Sequence, residues 1–476
     1  MNRRQFTKLA GALVAGRALA QTAEAPVYQE KYRPQFHFSP KKGWTNDPNG
    51  LVFYKGEYHL FFQHNPFDTK WGNMTWGHAV SPDLIHWKQL ANAIEPDQRG
   101  TIFSGSAVVD EENTASLQKG PEKTLVCIYT AAGGTSPESQ GQPYTQNIAY
   151  SNDRGRTWTK YAGNPVVPHV MGSNRDPKVV WHAPTRKWIM VFFLDGNLYR
   201  FLTSPDLKTW TTLHDIVVPG CSECPDFFEM AVDAEPGVTK WVWTSASDHY
   251  LIGTFDGKRF LPEVMTNQGT AGGNYYAVQT YSGLPNGRRV QLSWMKGGVY
   301  PHMPFNQQMS FPYELKLRRF GTTLKLAALP VHEIESIQYE PKVWTGLDLK
   351  PGDNPLAELS GDLWDIQAEF DPRDATEVGF VVRGRTVAYT VRTAKEHRLS
   401  NGELNIGISP QLNPVKLRIL VDRTTVEVFG NDGEIVMPAC FLPKDSDQGL
   451  KLFSTGGTTR VASLKVYKVK SAWQEA

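Results

Sequence analysis

Three acidic side chains lie in short segments that could make them chemically reactive. Asp47 occurs within GWTNDPNG (43–50), Asp176 follows an arginine in SNRDP (173–177), and Glu223 occurs in CSECPDFF (221–228). The adjacent arginine should keep Asp176 ionised, whereas apolar neighbours and the lack of a nearby cation in the sequence should raise the pKa of Glu223. One charged and one protonated carboxyl group are what cleavage of a glycosidic bond needs. Arg-Asp-Pro alone is more often a turn salt bridge, so the prediction depends on all three acids together.

The backbone around the first acid has marked conformational preferences. Pro48 fixes its own φ and keeps Asp47 out of the helical region, and the Asn-Gly pair that follows tolerates positive φ. We therefore predict a tight turn that holds the Asp47 carboxylate at the mouth of a strand. The apolar run 51–54, the short KGE segment and residues 58–63 predict a β-hairpin directly after it.

The composition is that of a globular chain rich in aromatic residues. The 476 residues, 40% hydrophobic and 21% charged, are enough for two domains with large cores. Aromatic residues make up 12% of the chain. They suit a carbohydrate site, because the apolar C–H face of a sugar stacks on an indole, and they suit a β-rich core equally well. The formal net charge of +2 argues against nucleic acid or an anionic surface as the main partner.

Residues 1–25 are typical of an export signal of the twin-arginine type. Arg3 and Arg4 precede Phe6 and Lys8, and a small-residue apolar stretch follows, interrupted by Arg17. We expect export in a bacterium, to the periplasm or the extracellular medium. An uncleaved tail or another class of secretory signal is the alternative. No later run is long enough for a transmembrane helix, so we expect no membrane span in the mature protein.

The four cysteines do not predict a metal centre or a disulfide framework. They are too few for a disulfide scaffold in a chain of this length. Cys221 and Cys224 form a single C-x-x-C, which is a weak zinc signal without a second pair, and free or locally paired thiols are the better interpretation. No other motif calls for a metal or a cofactor, so we predict neither.

A repeated segment indicates a β-propeller. SPDLIHW (81–87) recurs as SPDLKTW (204–210) and, more loosely, as SNDRGRTW (151–158), each between short strand-like runs. Such self-similarity is typical of propeller blades, with the Ser/Asp turn ending a strand and the Trp packing between blades. The repeat is too uneven to give the number of blades. We assign residues 32–330 to this domain.

Residues 338–470 are predicted to form a second domain, an antiparallel β-sandwich. Apolar and polar residues alternate clearly in WDIQAEF (364–370), and further strands are expected at 417–422, 426–429 and 464–469. Between the domains, residues 330–337 predict a short helix with Val331, Ile334 and Ile337 on one side.

With these motifs together, the sequence resembles glycoside hydrolase family 32, the invertases, inulinases and levanases. The matching segments span nearly the whole chain after the export signal: residues 44–50, FFQHNP (61–66), WGHA (76–79), FSGS (103–106), RDP (175–177), ECP (223–225), YYA (275–277), LVDR (420–423) and VEVFGN (426–431). The resemblance implies an all-β chain, with a five-bladed β-propeller followed by a C-terminal β-sandwich. It also implies a hydrolase that releases terminal β-D-fructofuranosyl residues from fructans such as levan or inulin, and from sucrose.

The resemblance implies a role for each acid. Asp47 would be the nucleophile, Glu223 the general acid and base, and Asp176 the stabiliser of the transition state. The anomeric configuration would be retained, with the carboxyl groups of the first two about 5–5.5 Å apart. The implied sugar-binding residues are Asn46, Gln63, Trp71, Phe103, Ser104 and Arg175, with Trp294 as a further wall. Core packing is the alternative for Trp71 and Phe103, and His64 and His78 are expected to be structural.

Three positions depart from the family's pattern. Thr45 stands where Met is common, GGN (272–274) lacks an acid often found there, and Tyr313 stands where Arg is frequent. These departures leave the three acids intact and bear on the outer subsites, hence on substrate length and linkage. An endo-acting fructanase, a fructosyltransferase, an arabinan-cleaving propeller and a carbohydrate-binding propeller without catalysis are the alternatives. The oligomeric state is left open.

Overall fold

Strands dominate the computed structural model, which describes residues 27–247, 249–266, 272–410 and 414–473. Within these ranges the strands form seven sheets, accompanied by four short 3₁₀ helices. The prediction of an all-β chain is therefore confirmed. The predicted export signal, residues 1–25, lies outside the described ranges. In the part of the chain that the structure describes, no helix is long and apolar enough to cross a membrane.

The first five sheets are propeller blades, and the chain builds each one from its innermost strand outward. Blade 1 contains β1 (Gly43–Tyr54), β2 (Glu57–Asn65), β3 (Thr75–Ser81) and β4 (Lys88–Gln89). Blade 2 contains β5 (Thr101–Asp110), β6 (Thr124–Ala132), β7 (Thr145–Ser151) and β8 (Thr159–Lys160). Blade 3 contains β9 (Arg175–His182), β10 (Lys187–Asp195), β11 (Leu198–Ser204) and β12 (Thr211–Val217). Blade 4 contains β13 (Asp226–Ala231), β14 (Thr239–Thr244), β15 (Tyr250–Phe255) and β16 (Phe260–Thr266).

Blade 5 completes the propeller and is linked to blade 1. It contains β17 (Tyr276–Thr280), β18 (Val290–Trp294), β20 (Tyr313–Phe320) and β21 (Thr323–Pro330), whereas β19 (Phe305–Asn306) pairs in parallel with β1. Short 3₁₀ helices lie in the connections at Pro137–Ser139, Ala183–Thr185 and Pro285–Gly287.

The innermost strands pack around a common axis. Neighbouring strands in the series β1, β5, β9, β13 and β17 contact each other, and β17 contacts β1, so the ring is closed. Backbone hydrogen bonds reinforce the closure, because Phe53 donates its N–H to the Ser282 carbonyl and Ser282 donates its N–H to the Leu51 carbonyl. The chain therefore forms the five-bladed propeller that the resemblance implied.

The repeated segments form the turn between the third and fourth strands of blades 1, 2 and 3. The Asp206 carboxylate accepts the backbone N–H groups two and three residues later, at 2.9 and 2.7 Å. Asp83 makes the same two bonds, and Asp153 makes them one residue further along because its copy is one residue longer. In each copy the Trp donates its indole N–H to the carbonyl three residues earlier. Trp158 also packs edge-on against Phe61 of blade 1, with 5.2 Å between ring centroids, as the repeat predicted.

The remaining strands form two antiparallel sheets that pack face to face as a β-sandwich. The six-stranded sheet contains β22 (Gln338–Leu349), β23 (Trp364–Asp371), β28 (Val415–Asp422), β29 (Thr425–Gly430), β30 (Ile435–Cys440) and β32 (Thr459–Val469). The five-stranded sheet contains β24 (Glu377–Val382), β25 (Arg385–Thr393), β26 (Glu396–Asn401), β27 (Leu404–Ile408) and β31 (Leu450–Thr455). One apolar core, which includes Trp364, Tyr389 and Val428, fills the space between the sheets. The 3₁₀ helix His332–Ile337 lies just before β22 and buries Ile334 and Ile337.

A buried ionic cluster joins the propeller to the sandwich. His37, in the segment before β1, contacts Asp422 at 2.8 Å and Glu427 at 3.2 Å. Tyr313 of blade 5 donates its hydroxyl to Glu427 at 2.7 Å. Burial favours the neutral imidazole, but the two carboxylates outweigh it and raise the pKa of His37 to about 9. The ring is therefore charged at neutral pH.

Candidate active site

The segment that carries Asp47 is a bulged strand and not a turn. It lies within β1, whose pairing with β2 shifts register between Thr45 and Pro48 and again between Asn49 and Val52. Proline cannot donate to a strand ladder and is found at bulges, where the chain re-aims its side chains. The predicted tight turn is therefore wrong, because the proline and the Asn-Gly pair are accommodated as irregularities of one strand. The predicted hairpin after it is confirmed, with a two-residue turn between β1 and β2.

All ten residues that the sequence singled out line one pocket of about 230 Å³ at the propeller axis, and every blade contributes to it. The inner strands or the residues just before them supply Asn46, Asp47, Phe103, Ser104, Arg175, Asp176 and Glu223. Gln63, Trp71 and Trp294 come from β2, the loop after it and the end of β18.

Asp47 is buried among hydrogen-bond donors. Ser104 donates its hydroxyl to Asp47 Oδ2 at 2.5 Å, and Asn46 donates its amide N–H to Oδ1 at 3.1 Å. The thiol of Cys224 lies 3.5 Å from Asp47 Oδ2. Burial nevertheless dominates and raises the pKa of Asp47 above its usual value. This carboxyl group therefore holds a proton more readily than a free aspartate does.

Asp176 does not have the strongly ionised carboxylate that its neighbouring arginine predicted. Its side chain is nearly fully buried, and burial raises the pKa of Asp176 to about 7 against the opposing effect of Arg175. The closest guanidinium nitrogen of Arg175 lies 3.7 Å away, because the strong hydrogen bonds of this side chain go elsewhere. The backbone of Asp176 has φ of 62°, a left-handed conformation that non-glycine residues adopt at functional sites.

The pKa of Glu223 also differs from its prediction, and in the opposite direction from that of Asp176. Arg175 donates to Glu223 Oε1 at 2.6 Å, and the Tyr276 hydroxyl donates to Oε2. Burial alone would raise the pKa of Glu223, but these two donors outweigh it and lower the pKa. The expectation of a raised pKa for Glu223 is therefore wrong, because it considered only residues adjacent in sequence.

Aromatic rings form the walls of the pocket. Trp71, 57% exposed, and Phe103 meet edge to face with centroids 6.1 Å apart. Trp294 stands against Tyr276 at 6.3 Å, also edge to face. The core-packing alternative for Trp71 is thus wrong, since more than half of its surface faces solvent. The Gln63 side chain is buried, and its amide nitrogen has no hydrogen-bond partner in the part of the chain that the structure describes.

Three further residues line the pocket that the sequence analysis did not predict: Cys224, Tyr276 and Lys296. Cys224 and Tyr276 belong to two of the segments that match the family, so their motif was an available signal. Lys296 has no such signal, and its ammonium lies 4.2 Å from the centroid of the Tyr276 ring. The Cys224 thiol also approaches Asp176 Oδ2 at 3.5 Å, and burial raises the pKa of Cys224 far above its usual value. It is therefore a thiol that bridges two carboxyl groups.

None of the three departures from the family pattern is among the residues that line the pocket. Thr45 is buried, and Tyr313 belongs to the ionic cluster between the domains. Asn274 lies behind the pocket rim, where its amide N–H donates to the Lys296 carbonyl at 2.5 Å and its side-chain oxygen accepts from Cys440 N–H at 3.0 Å. The GGN segment is thus linked by a side-chain hydrogen bond to Lys296, through which it can influence an outer subsite.

His64 and His78 of the matched motifs make structural contacts, and the cysteines form no disulfide within the described ranges. His64 bonds to the Trp44 carbonyl at 2.8 Å, and His78 contacts His59 at 3.1 Å. All four cysteines are free. Over the described ranges, no group of three or more His, Cys, Asp and Glu side chains could hold a metal ion.

Comparison with known proteins gives consistent matches along the chain. The family model for the N-terminal domain of glycosyl hydrolases family 32 matches residues 37–330, and the model for the C-terminal domain matches residues 333–468. A levanase of Bacillus subtilis is 41% identical, over 95% of this chain and 73% of the relative. An extracellular exo-inulinase of Aspergillus awamori is 32% identical, over 94% and 96%. The crystal structure of exo-inulinase from Aspergillus awamori superposes with a TM-score of 0.84 at 31% identity, covering 94% of this chain and all of the other.

A five-bladed propeller with three carboxyl groups in one axial pocket, followed by a β-sandwich, defines a glycoside hydrolase. The chain belongs to glycoside hydrolase family 32.

Proposed function

We propose that this enzyme removes terminal β-D-fructofuranosyl units from fructans, levan or inulin, and also hydrolyses sucrose. The observation that carries the proposal is the convergence of Asp47, Asp176 and Glu223 on a pocket of only about 230 Å³. A pocket of that size suits one furanosyl unit at a chain end better than the middle of a polymer. The levanase and exo-inulinase names of the relatives support a fructan substrate.

The chemistry is a double displacement that retains configuration. Asp47 attacks the anomeric carbon of the fructosyl unit while Glu223 gives its proton to the departing oxygen. Water, deprotonated by Glu223, then attacks the same carbon and releases Asp47. Asp176 binds fructose hydroxyls and stabilises positive charge that develops on the ring.

Substrate hydroxyls change the proton affinities of the three carboxyl groups. Tyr276 and Arg175 donate to Glu223 and lower its pKa, whereas burial raises the pKa values of Asp47 and Asp176. Sugar hydroxyls that donate to Asp47 and Asp176 stabilise their charged forms, and the charge gathered there favours a proton on Glu223. In the second step Glu223 must be an ionised base, and its two donors support that state.

The remaining pocket residues fit the recognition of a sugar. Asn46, Gln63 and Arg175 offer amide and guanidinium groups to hydroxyls. The unpartnered amide nitrogen of Gln63 is a buried donor that a hydroxyl would satisfy. Trp71, Phe103 and Trp294 provide apolar walls, and Ser104 orients the nucleophile through its 2.5 Å bond.

A chromatographic time course with levan, inulin and sucrose in parallel tests the substrate. Fructose as the sole early product from a polymer supports exo action, and the relative rates identify the preferred substrate. Short oligosaccharides at early times would instead support endo action, and transfer products would support a fructosyltransferase. Binding without turnover would support the non-catalytic alternative, and hydrolysis of arabinan alone would support an arabinan-cleaving enzyme.

Glu223→Ala tests the proposed acid and base. We expect a folded protein with a turnover of natural substrates at least roughly 10³-fold lower, because both proton transfers lose their group. Steady-state rates, with folding checked by circular dichroism, provide the measurement. Near-normal turnover in a folded variant would rule out this assignment.

Export to the periplasm or the medium of a bacterium is part of the proposal. The twin arginines at the N-terminus support it, and the Aspergillus awamori relative is named extracellular. Replacing both arginines, Arg3→Lys with Arg4→Lys, should leave the enzyme inside the cell, which fractionation and activity assays detect. Unchanged export would point to another secretory route.

A further inference from the structure

A second cavity lies at the opposite end of the propeller axis. Its volume is about 400 Å³, larger than that of the active-site pocket. Each innermost strand starts at the active site and ends at this cavity. The cavity is lined by residues of these strands or just after them: Phe53, Val109, Trp181, Phe228 and Ser282. The two cavities therefore share the same five strands and open on opposite faces of the propeller.

The two cavities are separate. Trp181 follows Asp176 by five positions along β9, a distance of about 16 Å along a strand. Midway, the buried ammonium of Lys178 pairs with Asp226 at 3.1 Å and donates to the Thr280 carbonyl at 2.8 Å. This cluster ties blades 3, 4 and 5 together between the two cavities, which share no lining residue.

The lining of the second cavity suits a neutral, hydroxyl-rich ligand. Trp181 is half-buried, with part of its indole facing the cavity. Glu111 and Glu229 are exposed, and neither carboxylate forms an ion pair within the described ranges. Carboxylates without a counter-ion repel anions and accept hydrogen bonds from hydroxyls.

The one cationic side chain of this lining, Arg289, is already engaged. Its guanidinium donates to the carbonyls of Tyr281 and Glu229 at 3.1 and 3.4 Å and lies over the ring of Phe228. These contacts hold the wall in place, while the buried Nε of Arg289 has no hydrogen-bond partner within the described ranges. The active-site pocket combines the same elements, a partly exposed Trp, carboxyl groups and a bound arginine.

We propose that the second cavity is a carbohydrate site that binds a fructosyl segment of the polymer substrate. This inference rests on the proposed function. A polymer held at a second site keeps its chain ends at a high effective concentration near the enzyme, although this site takes no part in the chemistry.

Trp181→Ala tests the second site. We expect the KM for levan or inulin to rise several-fold, up to roughly tenfold, with kcat/KM for sucrose unchanged. In the inactive Glu223→Ala background, calorimetric titration with short fructan oligosaccharides should give two binding sites, and one site after Trp181→Ala. Trp344→Ala, at a half-buried Trp in the sandwich, is the matched control and should change neither result.

Glu111→Gln with Glu229→Gln supplies a second test that leaves the aromatic core intact, in case loss of the indole disturbs folding. It should weaken oligosaccharide binding at the second site in the same way. One binding site in the Glu223→Ala parent, or unchanged polymer KM in both variants, would overturn the inference while leaving the proposed function standing. Absence of fructan and sucrose hydrolysis in the wild-type enzyme would instead overturn the proposed function.

Discussion

Glu223 has two donors that set its proton affinity before any substrate arrives. Arg175 holds one carboxylate oxygen and Tyr276 the other. Both bonds stabilise the charged form, which suits the base that the second step needs and opposes the acid that the first step needs. Each donor therefore influences the pH range over which the enzyme works.

Tyr276→Phe removes one of these donors. The pKa of Glu223 is lowered in the native pocket by its donors, so loss of one should raise that pKa. Glu223 then stays protonated to higher pH, and the alkaline limb of kcat/KM should move toward higher pH. A pH profile with sucrose measures the shift.

Tyr275→Phe is the matched control for this change. The Tyr275 side chain is buried next to Tyr276 in sequence, but its hydroxyl donates to Gln291 and not to the carboxylate. The alkaline limb of the kcat/KM profile of Tyr275→Phe should stay at the wild-type position. An unmoved or lowered limb in Tyr276→Phe would contradict the part assigned to its hydroxyl.

The sequence identified the residues of the pocket better than their charge states. All ten predicted side chains converge, because ordered short motifs carry that information. The bond between Arg175 and Glu223 joins residues 48 positions apart, and no local pattern records it. Lys296 was missed for a related reason, since the loop after β18 departs from any recognisable motif.

At the scale of elements, the repeated Ser/Asp turn stabilises the outer edge of three blades. Asp206 closes one copy with bonds to two backbone N–H groups and to the hydroxyls of Ser204 and Thr209. These bonds stabilise the carboxylate and lower the pKa of Asp206 although burial opposes them. The turn resembles an N-cap in its chemistry, with a side-chain oxygen satisfying orphan backbone donors.

Asp206→Ala should lower the free energy of unfolding by about 1–2 kcal/mol, the usual cost of losing such a cap. Asp206→Asn keeps one acceptor oxygen and should cost less. The turn lies at the outer edge of its blade, so kcat should not change in either variant. Urea unfolding and sucrose kinetics provide the measurements, and equal stability of Asp206→Ala and wild type would contradict the capping role.

The number of blades and the bulges of β1 were harder to predict from the sequence than the repeated turns. Blades 1, 2 and 3 carry the repeat, whereas in blade 4 Asp256 caps the equivalent turn without the flanking Ser and Trp. A count of repeats therefore gives too few blades. The bulges of β1 were also hidden, since a proline followed by Asn-Gly fits a turn or an irregular strand equally well.

At the scale of the whole molecule, charged side chains stabilise two places where separate elements meet. Lys178 and Asp226 join three blades at the axis, and His37 with Asp422 and Glu427 joins the propeller to the sandwich. The second cluster brings together residues 385 or more positions apart. Two segments of the sandwich that match the family, LVDR and VEVFGN, contribute its carboxylates, so their resemblance reflects the domain interface and not the active site.

The charge of His37 makes stability depend on pH. Its pKa is about 9 in the folded protein and 6.5 in the unfolded chain, so its contribution is fully present below pH 6.5 and is lost as pH rises through 9. The difference corresponds to about 3 kcal/mol. The free energy of unfolding of the wild type should therefore fall across this window by an amount of that order.

His37→Gln keeps hydrogen-bonding groups but removes the titrating charge. The variant should be less stable than wild type at pH 6.5, because two buried carboxylates lose their cation. Its free energy of unfolding should fall less steeply between pH 6.5 and 9. His332→Gln is the control, since its imidazole is 72% exposed, and it should keep the wild-type slope. Urea unfolding at a series of pH values measures all three proteins. Equal slopes for wild type and His37→Gln would show that the imidazole is not the charge holding the two domains together.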